Sequence, residues 1–206
     1  MIKKLVFLFC VFVLPVFISA KPYQISEPLK AELRQNYQRL QAYPDSNEAK
    51  FELAMSYAYT GQIKKGWDIL KSLDPAYSKV VITKYQALID KNPNEWKYHF
   101  KIAFGYFFDK EKTRAIESFR KVLTIKPDQV WAYGFIALIK GEMGQVDEAI
   151  RICKQALKME PKATAIRFLL AEGYRKKGRY FRSLKELFVV GRLQSAEARD
   201  RKDVGF

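Results

Sequence analysis

Few side chains in this sequence could carry covalent chemistry. His99 is the only histidine, and the cysteines are Cys10 and Cys153. A nucleophile with its base, or a Cys/His metal set, needs such residues close together, and no such spacing occurs. The carboxylates are scattered along charged stretches rather than paired inside apolar runs. Gly141-Glu142-Met143-Gly144-Gln145 reads as a turn and not as a phosphate loop. The sequence therefore predicts no catalytic residue, no metal, no cofactor and no enzyme. Aromatic side chains are plentiful instead: 15 Phe, 12 Tyr and 3 Trp. They concentrate binding energy where they line a surface and fill the interior where they do not.

The elements that would position those aromatics recur at a fixed step. Pro93, Pro127 and Pro161 are each 34 apart, as are Ala103, Ala137 and Ala171, and Ala115, Ala149 and Ser183. A period of this size marks stacked helical repeats. In the unit 96–129, Ile102, Ala103 and Tyr106 form one stripe at helical spacing. After the break at Asp109-Lys110-Glu111-Lys112, Ala115, Phe119, Val122 and Leu123 form a second. Lys126-Pro127-Asp128 closes the unit, because proline cannot continue a helix. Small residues at 103 and 115 let the two helices approach, and Tyr106 and Phe119 fill the space around them.

This pattern resembles the tetratricopeptide repeat: an aromatic, a Leu-Gly/Ala pair, a Tyr, then Ala, Phe and Pro. Unit 130–163 repeats it with Tyr133, Ile136, Ala137, Ala149, Cys153, Ala156 and Pro161, but has Lys140 where the tyrosine is expected. Unit 164–193 has Leu170, Ala171, Tyr174, Gly178, Ser183 and Leu187 and lacks the closing proline. An earlier unit, 47–75, has Leu53, Ala54, Tyr57, Gly61 and Gly66. Between Ala54 and Ala103 lie one period and a further helix's worth of chain, so an extra helix is expected at 77–91. A capping helix is expected over 21–43, with Pro28 at its first helical position, and a polar tail at 194–206. The predicted fold class is all-α, a tetratricopeptide-like α-solenoid forming a right-handed superhelix. His99 falls in an aromatic slot of its repeat, which implies packing, and Cys153 falls on an apolar face.

The resemblance implies that the first helix of each unit lines a concave groove. Beside the core stripe on those helices stand Phe51, Met55 and Tyr59; Phe100, Phe104, Phe107 and Phe108; Trp131, Phe135 and Leu138; and Phe168, with Glu172 and Arg175. They predict an aromatic groove for an extended or helical segment of a protein partner. Packing against neighbouring helices or against the chain's own N-terminal segment is the alternative. The lysines and asparagines with which chaperone-binding relatives clamp a carboxylate are absent from these positions.

Net charge is +15, a balance that raises nucleic acid as a partner. The N-terminus argues against it. Met1-Ile2-Lys3-Lys4 is basic, Leu5 to Ile18 is apolar and uncharged, and Ser19-Ala20 precedes polar sequence. That order predicts a secretory signal peptide over 1–20, and the run is shorter than the ~20 residues of a bilayer span. An uncleaved anchor in the inner membrane is the alternative. Either way the chain is expected in the bacterial periplasm or cell envelope, as a scaffold or adaptor. The basic turns at Lys64-Lys65, Lys110-Lys112-Arg114, Arg120-Lys121 and Arg175–Arg179 raise a second reading, binding to an anionic membrane surface. Phe188, Val189 and Leu193 are expected to stay uncovered and to support self-association.

Overall fold

The computed structural model describes residues 25–203, with side chains to Ser195. The expected signal segment at 1–20 and the last residues of the expected tail lie outside the described residues. Every described element is helical: α1 Glu27–Ala42, α2 Asn47–Tyr59, α3 Ile63–Leu70, α4 Tyr77–Lys91, α5 Trp96–Phe108, α6 Lys112–Ile125, α7 Val130–Glu142, α8 Val146–Met159, α9 Thr164–Lys176 and α10 Tyr180–Asp203.

Apart from the link between α3 and α4, two kinds of connection alternate, and the sequence writes both. After α1, α4, α6 and α8 the chain turns through Tyr43-Pro44, Asn92-Pro93, Lys126-Pro127 and Glu160-Pro161. Each turn is closed by a backbone bond, such as Gln129 N to Lys126 O at 3.1 Å. Proline presets the first bend of such a turn. In three of these turns the residue that follows caps the next helix. Ser46 Oγ accepts from Ala49 N, Glu95 Oε1 from Lys97 N and Gln129 Oε1 from Trp131 N.

The connections after α2, α5, α7 and α9 pass through a residue at positive φ: Gly61, Lys110, Gly144 and Gly178. The next N–H bonds back into the last turn, as Arg179 N does to Tyr174 O at 2.8 Å. This is the left-handed helix stop that favours glycine, and Lys110 makes it without one.

The pairs α5–α6, α7–α8 and α9–α10 stack as tetratricopeptide-type hairpins of an α-solenoid. Their small residues Ala103, Ala115, Ala137, Ala149, Ala171 and Ser183 are all buried. Successive first helices meet in repeat register, with Phe100 and Phe135 rings 5.7 Å apart.

The N-terminal hairpin α2–α3 is as tight. A Cβ added at Gly66 would lie 2.8 Å from the Ala54 carbonyl oxygen. It does not continue the ladder, however. In register with Ala54 and Ala103, Tyr59 would lie level with Phe108. It meets Trp96 and Phe100 instead, at the opposite end of α5, with ring centroids 5.5 and 5.6 Å apart. Phe51, near the start of α2, reaches Tyr77 and Tyr85 of α4. α2 thus crosses α5 against the repeat direction. α4 supplies the proline-ended second helix that α3, broken off at Leu70, does not. α10 runs on to Asp203, so the polar stretch from 194 forms its last turns.

Candidate functional site

The aromatic face exists, but the chain fills it. Phe100, Phe104, Trp131 and Phe135 are buried, and so are Phe51, Met55 and Tyr59. The last three do not line a trough. They belong to α2, the helix lying across it. Nine of its thirteen residues are buried, because it is apolar on nearly every side. The open aromatic groove expected from the sequence is therefore corrected to an occupied one. Phe107 and Leu138 are half-buried, and of the eleven candidates only Phe108 and Phe168 remain exposed. Trp67 of α3 closes the mouth, its ring 5.9 Å from those of both Phe107 and Phe108. The crevice left between Trp67, Phe104, Phe119, Phe135, Leu138 and Ile139 is too narrow to hold water.

Polar groups fix the crossing of α2. Glu52 of α2 pairs with Lys101 of α5 at 2.6 Å, accepts from the Tyr85 hydroxyl of α4 and lies 3.6 Å from Lys84. Burial pushes its carboxyl up. The charge and hydrogen bond of Lys101 and the bond from Tyr85 outweigh this and hold it below the usual carboxylate range. At the other end of α2 the Tyr59 hydroxyl donates to Glu32 of α1, which also pairs with Lys97. Burial first, and then the neighbouring carboxylates, push Tyr59 and Tyr85 far above the ordinary phenol range. Both phenols stay neutral donors.

Among the described residues, His99 and Cys153 both sit in packing positions. His99 Nε2 donates to the Pro93 carbonyl at 2.8 Å, tying the α4–α5 turn. Cys153 is buried in α8, and burial pushes its thiol up to about 12, which removes the thiolate a nucleophile needs. Among the described residues no group of His, Cys, Asp and Glu could hold a metal ion, and no helix is long and apolar enough to cross a membrane.

Large apolar side chains reach solvent instead on the last hairpin. Phe168, Tyr180, Phe181, Leu184, Leu187 and Phe188 are exposed there. Of the three residues expected uncovered on α10, Phe188 is, Val189 is half-buried, and Leu193 is buried against the array. The sequence signal for the wider patch lies in the repeat itself. Phe181 and Phe188 stand where units 96–129 and 130–163 have Thr113 and Asp147, and Arg120 and Lys154. Arg167 and Glu186 link the two helices of the hairpin, paired at 2.6 Å and mostly shielded from solvent.

Residues 97–129 and 142–198 each match the tetratricopeptide repeat. No curated protein matches the chain. Among solved structures, a crystal structure of MamA superposes with a TM-score of 0.55 at 16% identity, covering 83% of this chain and 91% of that one. A truncated MamA from Desulfovibrio magneticus RS-1 gives 0.52 at 14% identity, over 82% and 88%. A thermophilic tetratricopeptide-repeat protein of Thermus thermophilus gives 0.50 at 19%, over 82% and 91%. At these identities the likeness speaks to the fold alone.

Proposed function

We propose that this chain, which carries tetratricopeptide repeats, is a non-catalytic scaffold of the cell envelope that holds a protein partner on the open end of its array. Such repeats stack into extended surfaces and work by binding proteins. The observation that carries the site is the gathering of exposed Phe168, Phe181, Leu184 and Phe188 on α9–α10, a patch of the kind that marks an interaction surface. The basic, apolar and small residues of 1–20, in that order, support export.

A photo-crosslinking residue placed at Leu184, at Phe108 or at the remote Lys64, in cells, tests this. Adducts with a second protein in the envelope fraction are expected at Leu184 and not at Lys64. Adducts confined to Phe108 would return the site to the mouth of the groove, and a wholly cytoplasmic chain would remove the envelope role.

One observation favours a second reading, attachment to an anionic membrane. The turn between α9 and α10 and the helix ends beside it carry Arg175, Lys176, Lys177, Arg179, Arg182 and Lys185; Arg175 and Lys177 pair with Glu172 and Asp147, and no carboxylate lies between residues 173 and 185. Vesicle binding that disappears at high salt would support it.

A further inference from the structure

The repeat shows what the open end is shaped to receive. Phe100, Gly134 and Phe168 stand at one position of successive units, Ile116, Ile150 and Leu184 at another, and Phe119, Cys153 and Leu187 at a third. Inside the array these positions hold the first helix of the next unit. Phe100 packs on Phe135 of α7. A Cβ at Gly134 would lie 3.2 Å from Ile166 of α9, and a Cβ at Gly173 of α9 would lie 2.8 Å from Ile150. Each first helix therefore sits in a seat built by both helices of the preceding unit. One period on, that seat is Phe168, Leu184 and Leu187, and no described residue covers it.

The flank of the seat departs from the repeat in the same direction. Thr113, Asp147, Arg120 and Lys154 are exposed polar residues of the interior units. Their counterparts Phe181 and Phe188 are 91% and 68% exposed. A terminal unit facing only water needs a more polar outer face than its neighbours. This one is more apolar.

We infer that the end of the array is a receptor for one amphipathic helix of the partner, docked as the first helix of a further unit, with a small residue facing Phe168 and carboxylates at its C-terminal end. This rests on the scaffold reading. The small residue follows from how the seats alternate. α7, whose seat includes Phe100, has fully buried Ala132 where α9, whose seat includes Gly134, has Ile166. The carboxylates follow from the interior junctions. In each, the start of one unit's second helix pairs with the end of the next unit's first helix: Lys112 with Glu142 at 2.9 Å, and Asp147 with Lys177 at 2.8 Å. At the open end Arg179 and Arg182 flank that place, on either side of Tyr180 and Phe181, with no carboxylate between residues 173 and 185. A second copy docked through the same end would set these cations against their own kind.

Fluorescence anisotropy on the purified chain tests the seat. The probe is a labelled, hydrocarbon-stapled peptide of residues 130–142 carrying Lys140→Glu, which keeps Ala132 and ends in carboxylates. It should bind. A counterpart that keeps Lys140 and carries Glu142→Lys should bind at least about tenfold more weakly. Leu184→Asp should abolish binding without changing the circular-dichroism melt, and Phe181→Asp should weaken it, whereas Lys64→Asp should do nothing. Equal affinity for the two peptides, binding indifferent to Leu184→Asp, or a dimer that Leu184→Asp dissolves would each overturn the inference. If neither peptide binds while crosslinks at Leu184 persist, the helical seat falls and the scaffold reading stands. If both fail, both fall.

Discussion

Phe100 and Phe168 occupy the same position of the repeat, two periods apart, and live in different surroundings. Phe100 is 0% exposed, among the rings of Tyr59, Trp96, Phe104, Phe119 and Phe135; Phe168 is 56% exposed. The repeat supplies the same kind of side chain at both ends of the molecule, and the neighbour decides its role. At the N-terminal end the neighbour is α2, and the aromatics become core. At the C-terminal end no described residue covers them, and they become surface. A groove inferred from repeat position alone is therefore a statement about where a ligand could lie, which the chain's own helices can already have answered.

Substitutions sharpen that contrast. The largest effect is expected at Phe104, whose side chain is fully buried between α5, α6 and α7. Phe104→Ala should cost about 3–5 kcal/mol in urea unfolding. A cost under about 1 kcal/mol would mean the groove opens in solution.

Lys101→Met should cost about 3 kcal/mol, because it takes the close cation from the buried Glu52 carboxylate and leaves it only the Tyr85 hydroxyl and Lys84 at 3.6 Å. The same pair sets a pH dependence. A carboxyl held below its ordinary range stabilises the fold above that range, and the contribution is lost as pH falls through its depressed folded value. The acid loss of stability in wild type should flatten in Glu52→Gln, as read from urea midpoints between neutral and acid pH.

Lys110→Gly should stabilise by about 0.5–1 kcal/mol, since Lys110 holds positive φ where the other three turns use glycine. The smallest effect belongs to the open end. Phe181→Ser should shift stability by no more than about 0.5 kcal/mol. A large loss there would show that the face is covered after all.

Much of the fold could be read along the chain because its signals are local. Pro93, Pro127 and Pro161 end helices wherever they fall, and the Ala103–Ala115 spacing needs only two helices in contact. The direction of α2 could not be read that way. Leu53, Ala54 and Tyr57 of α2 and Gly66 of α3 satisfy the repeat pattern, and the two helices do form a hairpin. What turns that hairpin across α5 is non-local, namely the break after Leu70, the interposed α4, and the pairing of Glu52 with Lys101 and of Tyr59 with Glu32. Side-chain spacing reports which face of a helix is apolar and is silent about which partner hides it. The apolar flank of the open end was legible in principle, because Phe181 and Phe188 stand in places that are polar one and two periods earlier. What those two residues border, the uncovered Phe168, Leu184 and Leu187, becomes visible only in the fold.

The tryptophans tell where the molecule can be watched. Trp67 stacks near Phe107 and Phe108, Trp96 lies against Tyr59, and a Cβ at Gly61 would fall 2.2 Å from the Trp131 ring. With 3 Trp in the whole chain, every indole borders the contact between the α2–α3 hairpin and the helices beneath it. Intrinsic emission is thus a private gauge of that seam: it should redden if the hairpin lifts, and stay dark to anything that settles on α10.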